Sequence, residues 1–197
     1  RNDLLVRGGG AIENQTRVDG FDLPNPNHFG AQGGTGGALS MIPPWLIDVA
    51  SLEGGGFSAA YGERMSSVAD IALRAGRTDR VHGMLGAGVG GVMGYAEGTL
   101  GRDTGSWLAS ARRSLLELTF GEQGDRAIPT YADALGRINW RMGPRHALTF
   151  LAIGAKDGVV VEGDKSNDQI RGDEWVGLGG LRLDSTWSSH TNTSVFA

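Results

Sequence analysis

TYADALGRINW, Thr130 to Trp140, alternates residue by residue between two kinds of face. One face reads Thr130, Ala132, Ala134, Gly136, Ile138, Trp140; the other reads Tyr131, Asp133, Leu135, Arg137, Asn139. A period of two is the signature of a strand, because successive side chains leave a pleated backbone on opposite sides. Trp175 to Trp187 repeats the pattern. Trp175, Gly177, Gly179, Leu181, Leu183, Ser185 and Trp187 share one face, with Arg182, Asp184 and Thr186 on the other. A smooth apolar face ending in Trp, opposite a charged one, suits a wall between lipid and a polar lumen. It equally suits a soluble sandwich whose apolar face is its core and whose charged face meets water. The pattern alone leaves both open.

Outward from that segment, the chain after Arg80 reads as strand, turn, strand. RVHGMLGAG, VMGYAEGTL, SWLASARRSLLELTF, TYADALGRINW, HALTFLAIGAK and EWVGLGGLRLDSTW follow one another, and TNTSVFA starts a seventh. Short turns (GRDTG, RMGPR, SSHT) alternate with the longer links GEQGDRAIP and DGVVVEGDKSNDQIRGD. Short turns on one rim and long loops on the other are how outer-membrane barrels are built. Before Ala75 the pattern is mixed. LLVRGG and TRVDGFDLP read as short strands, the second broken by an Asp19-Gly20 turn. SMIPPWLIDVA reads as a short helix with Ser40 near its start and Pro43 or Pro44 in its first turn. VADIALRAG reads as strand or helix, periodicity not deciding between them.

Composition narrows the function classes. The chain has 197 residues, long enough for one or two domains, and carries 34 glycines against 6 prolines. That load suits β-structure with tight turns. A net charge of −4 with no basic stripe argues against nucleic acid as a partner. There are no cysteines, which excludes disulfides and thiolate metal sites. No apolar run approaches a membrane-spanning helix, but transmembrane strands never look apolar throughout. The chain opens RNDLLV and closes NTSVFA, and reads as cut at both ends.

Several motifs fail on chemistry. GAGVGG, Gly86 to Gly91, matches a dinucleotide fingerprint, yet VMGYAEG continues it as a strand rather than opening a helix, so it reads as a glycine-rich strand pair. GGTGG at Gly33 to Gly37 lacks the Lys-Ser/Thr of a phosphate loop. His28, His82, His146 and His190 have no metal-ligand spacing. Asp164, Ser166 and Asp168 hold alternate positions of a calcium loop, but Gln169 stands where its glycine belongs, so the acidic segment 157–174 reads as solvated. No catalytic set and no cofactor is proposed, and the chain does not read as an enzyme.

The run VRGG…EN…VDGFDLPNPNHFG…GALSMIPPWLIDVASLEGGGFSAAYGERMSSVADIALRAG resembles the plug domain of TonB-dependent outer-membrane receptors. The resemblance covers Leu5 to about Gly76 and continues through Glu97-Gly98 and SWLASARRSLLEL. It implies a mainly β protein: a mixed α/β plug over 1–78, its beginning missing, then from 79 to 197 the first strands of an antiparallel transmembrane barrel of about 22 strands. It implies an outer-membrane location, TonB as a partner through a segment before Arg1, contact with outer-membrane lipid, and import of a scarce siderophore, cobalamin or oligosaccharide-like ligand. Carried over by motif, Glu13, Asn14, Asn25, Asn27, His28 and Phe29 are the ligand-facing residues, able to hydrogen-bond and stack. Arg7, Arg64 and Glu97 are the plug-docking candidates. The family's basic residue before GGF is here Gly54.

Two geometric expectations separate barrel from sandwich. Arg112 and Arg113 are strand neighbours, so a barrel needs either a bulge bringing both inward or a rim position for the outward one. Trp107, Trp140 and Trp187 stand beside the tight turns and belong in one interfacial belt. Trp175 lies twelve residues before Trp187, which at about 3.3 Å per residue and a 45° tilt projects to roughly 28 Å, placing it on the opposite rim. A sandwich would bury these indoles together.

Overall fold

The computed structural model describes residues 3–30, 34–58, 61–62, 65–88, 90–101, 104–116, 127–162 and 169–197, with the side chains of 127–128, 160–162 and 169–171 left aside. The chain divides into two units, Arg1–Arg74 and Ala75–Ala197.

In the first unit the strands are β1 (Asn14–Val18), β2 (Phe21–Asp22), β3 (Asn27–His28), β4 (Leu39–Ser40), β5 (Ile47–Glu53) and β6 (Ser67–Leu73). Four form a mixed sheet in the order β2-β1-β6-β5, and β3 pairs with β4 separately. β1 and β6 run parallel, with Asn14 opposite Ser67 and Val18 opposite Ile71. The β1–β2 hairpin turns at Asp19 (φ 51°) and Gly20 (φ 90°). Two successive left-handed residues are what a two-residue hairpin matched to strand twist requires. The Asp19 carboxylate accepts the Leu73 N–H at 3.0 Å, tying the turn to β6. Val18, Phe21, Leu23, Met41, Ile42, Leu46, Val68 and Leu73 are buried.

Two expectations in this unit need correction. LLVRGG forms no strand; Arg7 (φ 51°) and Gly8 (φ 79°) turn the chain there. SMIPPWLIDVA is not a helix. A single 3-10 turn, Pro44–Leu46, leads directly into β5. Pro44 holds Pro43 in extended backbone (φ −63°, ψ 130°), as the ring of a following proline does, and Ile47–Glu53 beyond it pairs with β6. VADIALRAG is settled as strand by pairing, since β6 has neighbours on both sides.

The second unit is one antiparallel sheet. Its strands are β7 (His82–Gly88), β8 (Gly91–Leu100), β9 (Gly105–Arg113), β10 (Ala127–Arg141), β11 (His146–Glu162), β12 (Gln169–Ser188) and β13 (Thr191–Phe196). Each pairs only with its chain neighbours, in the order β13-β12-β11-β10-β9-β8-β7, so the sheet is a meander, open at β7 and β13. Within GAGVGG, Gly86–Gly88 end β7 and Gly91 begins β8, where Gly91 (φ 137°) lies against the Arg113 carbonyl with no room for a Cβ. Three boundaries differ from expectation, the first being β10, which begins at Ala127 inside the link GEQGDRAIP. β9 stops at Arg113 instead of running on through the following leucines. Much of DGVVVEGDKSNDQIRGD is strand, because β11 continues to Glu162 and β12 begins at Gln169. Val159–Val161 pair with Ile170–Gly172 across that hairpin, and β-branched residues supply the ladder that the surrounding acids obscured.

Candidate functional site

The seven-stranded sheet has two chemically distinct faces. On β10, Asp133, Leu135 and Arg137 are buried, whereas Ala134, Ile138 and Trp140 are exposed. The polar face continues across the strands through Glu97, Ser106, Ser110 and Thr149, all buried. The apolar face carries Phe150, Trp175, Leu181 and Trp187, all exposed. A soluble sandwich would bury the second set and wet the first. Here the first set is buried and the second exposed, and the buried face also carries Leu108, Leu135, Leu151 and Ile153.

At the centre of the polar face, Arg112 and Asp133 stand directly opposite each other on β9 and β10. The guanidinium forms a fork on the carboxylate, with Nε 3.0 Å from both oxygens and Nη2 2.8 Å from Oδ2. The two side chains are only 8% and 2% exposed. Fork-on-carboxylate geometry is the strong form of ion pair, and burial makes either partner costly to lose. Nearby, Thr149 Oγ1 donates to Asn139 Oδ1 at 3.1 Å. Toward β13, Asp184 accepts from Arg182 at 2.8 Å and from Ser194 Oγ at 2.6 Å. Sequence reading flagged Arg112 without its partner. Asp133 lay on the charged face already recognised, and the cross-strand register was the missing signal.

Glu97 is buried on the same face, accepts the Arg77 N–H at 3.2 Å, and stands opposite His82. Before β7, Asp79 receives the Arg77 guanidinium at 3.2 and 3.3 Å and the His82 ring at 2.9 and 3.0 Å. Desolvation pushes the Asp79 carboxyl up, but donation from Arg77, His82 and backbone N–H groups outweighs it and holds the group well below the usual carboxylate range.

In the first unit, Asn25, Asn27, His28 and Phe29 share one loop. Asn25 Oδ1 accepts the Asn27 N–H at 3.0 Å, and its Nδ2 donates to the Gly36 carbonyl at 3.3 Å. Asn27 Nδ2 donates to the Thr35 carbonyl at 2.8 Å. Both amides therefore brace the loop. His28 is fully buried in β3, and Phe29, half-buried with φ 58°, lies 6.2 Å from its ring. Asn14 is buried in β1; its Nδ2 donates to the carbonyls of Leu4, Gly10 and Ala11 and its Oδ1 accepts from Ser67 at 2.6 Å. Glu13, half-buried, precedes it in a 3-10 turn with its carboxylate near Gly9 and Ser66. Arg7, exposed, lays its guanidinium over Gly54 and Gly55. Arg64 and the calcium-like positions Asp164, Ser166 and Asp168 lie outside the described residues.

The Arg112–Arg113 question resolves without a bulge. Both keep regular register, Arg112 turning to the polar face and Arg113 to the apolar face at the last residue of β9. The indoles also divide. Trp107, Trp140 and Trp187 each lie within two residues of a strand end at the tight turns. Trp175 pairs opposite Lys156 toward the other end, 73% exposed, with the Lys156 ammonium 4.9 Å from its ring centroid. They do not converge on a common interior.

This architecture is a short mixed sheet followed by an antiparallel meander, and it is similar to part of two solved siderophore receptors. The chain superposes on the siderophore receptor PirA from Acinetobacter baumannii with a TM-score of 0.68 at 17% identity, covering 98% of this chain and 32% of that one. It superposes on a mutant of the ferric enterobactin receptor PfeA from Pseudomonas aeruginosa with a TM-score of 0.62 at 16% identity, covering 98% and 33%. The chain thus spans about a third of the length of these receptors. No protein-family model and no curated protein sequence matches it. Among the described residues no helix is long and apolar enough to cross a membrane.

Proposed function

We propose that this chain is part of a TonB-dependent outer-membrane receptor that imports a scarce, siderophore-like ligand, the first unit acting as plug and the second as barrel wall. The observation that carries the reading is an inversion on the sheet: Glu97, Asp133 and Arg137 are buried while Trp140, Phe150, Trp175 and Trp187 are exposed. Lipid outside and a polar lumen inside give that inversion a physical cause. The fold shared with two siderophore receptors supports the same reading. β10, β11 and β12, at 15, 17 and 20 residues, exceed the ~10 that a tilted strand needs to span a bilayer, so they would project beyond it as supports for surface loops.

The plug reading follows from chemistry suited to a wet lumen: a small sheet joined by braced polar loops. Ligand contact is assigned to Glu13 and Phe29, both half-buried, while the Asn25 and Asn27 amides and the buried His28 hold the loop that carries Phe29. Asn14, committed to four internal hydrogen bonds, holds the turn that presents Glu13. TonB supplies the energy for plug movement through a segment preceding this one, and no bond in the ligand is made or broken. The test is ferric-siderophore uptake by cells carrying the complete receptor gene. Uptake that requires TonB, with the protein in the outer-membrane fraction, supports the proposal. A chain recovered in water without detergent sinks it in favour of a soluble β-domain that binds glycan or protein.

A further inference from the structure

Glu13 and Phe29 stand on separate loops of the first unit, and a short segment before Arg7 ties those loops together. Leu4 donates its N–H to Thr35 Oγ1 at 2.9 Å, and its carbonyl accepts Asn14 Nδ2 at 2.6 Å. Asp3 Oδ1 accepts the N–H groups of both Thr35 and Gly36, at 3.1 and 3.0 Å. Two consecutive residues thus grip one partner 10 positions away and others 31 to 33 positions away.

Each grip leads on to a ligand-contact residue. The Thr35 carbonyl accepts Asn27 Nδ2 at 2.8 Å and the Gly36 carbonyl accepts Asn25 Nδ2 at 3.3 Å, and these two amides brace the loop before Phe29. Thr35 therefore commits its N–H and hydroxyl to the segment and its carbonyl to the loop. Gly37 runs so close to the Asn27 side chain and the His28 carbonyl that a Cβ there would collide with both. On the other side, Asn14 follows Glu13 directly. Ser66 joins the same two stretches, its Oγ donating to the Val6 carbonyl at 2.5 Å and its N–H to the Glu13 carbonyl at 3.2 Å.

A loop presents a side chain reproducibly only when a scaffold holds it, and bonds between stretches far apart in sequence hold what local turns cannot. The Thr35 and Gly36 peptide groups are bonded on both sides, by Asp3 through their N–H groups and by Asn27 and Asn25 through their carbonyls. Bonds in such a chain polarise and strengthen one another. Gly36 is buried, so its N–H needs an acceptor that bulk water does not supply. Both donors converge on a single Asp3 oxygen, and a side-chain amide carbonyl could accept them equally.

We propose that Asp3 and Leu4 form a strap that fixes Glu13 and Phe29 in one mutual arrangement, with Asp3 a positioning residue for ligand contact. That role rests on the ligand-contact assignment above; the strap itself does not. The test is the distance distribution between spin labels at E13C and F29C in the complete receptor, any cysteine elsewhere replaced. With the rest of the chain wild type, the labels give one narrow distance. D3A broadens it and raises exchange of the Asn27 amide about tenfold, the scale of one lost hydrogen bond. The Asn27 N–H is bonded to Asn25, not to Asp3, so its response reports transmission through Thr35 and Gly36. D3N, which keeps an acceptor oxygen, restores the narrow distance. T35V, which removes only the acceptor of the Leu4 N–H, broadens it less than D3A. A narrow distance in D3A, or one as broad in D3N as in D3A, overturns the proposal. Unchanged exchange in β6 shows that each variant is folded; should D3A fail that control, a T35V distance as narrow as wild type overturns it. Neither readout uses a ligand, so absence of ferric-siderophore uptake would defeat the importer reading and leave the strap standing.

Discussion

Asp133 and Arg112 are the residues whose loss the sheet would feel most. Their charges face each other on adjacent strands with little access to water. Asp133→Ala removes the carboxylate from a buried guanidinium, and the expected destabilisation is about 3–5 kcal/mol. Replacing both residues with apolar ones of similar volume should cost far less. Denaturant unfolding of the complete receptor, run as a double-mutant cycle, reads the difference; equal losses for single and double variants would refute the pairing argument. Asp79 offers a pH test. Its folded pKa is depressed by Arg77 and His82, so its stabilisation is complete above the unfolded carboxylate value of about 3.9 and disappears as pH falls through the lower folded value. Asp79→Asn should therefore be less stable than wild type at neutral pH and converge with it in acid. A gap that widens on acidification would contradict the assignment.

Among the elements, β9, β10 and β12 carry the indoles that, on the proposed outer-membrane reading, would set the sheet's level in a bilayer. Trp107, Trp140 and Trp187 lie beside the tight turns, and Trp175 lies toward the opposite end of β12. In single-Trp variants reconstituted with lipids brominated at different depths, all four indoles should be quenched near an interface rather than at the midplane. A water-soluble quencher confined to one side should reach the first three or Trp175, but not both sets. Quenching of Trp175 from the same side as Trp187 would break the two-belt arrangement. Arg113 fits this picture because β9 ends with it, where a long side chain can reach the headgroups.

For the whole molecule the decisive feature is the open sheet. Among the described residues, seven strands with edges at β7 and β13 are fewer than the eight or so of the smallest transmembrane barrels. Unpaired edge groups find no partner in hydrocarbon and invite aggregation. Residues 1–197 produced alone should therefore fail to restore ligand uptake to cells lacking the receptor, and should aggregate outside detergent. Uptake restored by this segment would refute the barrel-wall reading.

Local chemistry was legible wherever it depends on near neighbours. The period of two in Thr130–Trp140 and Trp175–Trp187 predicted their strands and faces, and Asp19-Gly20 predicted its hairpin, because pleat and turn are properties of consecutive residues. The run Leu5–Gly76 resembles a receptor plug by its motifs, and the fold likeness to two siderophore receptors at 16–17% identity supports that resemblance only at the level of fold. Long-range pairing was not legible. Ile47–Glu53 became a strand because β6 was there to receive it, and the acidic link shortened because Val159–Val161 found partners across the hairpin. The role of Asn14 also escaped sequence reading, since its amide is held by carbonyls from Leu4 to Ala11 and by Ser67 on another strand. Nor could alternation say which face is buried: apolar-in and apolar-out sheets share one sequence pattern, and only the tertiary structure, by burying Asp133 and Arg137 and exposing Trp140, distinguished them.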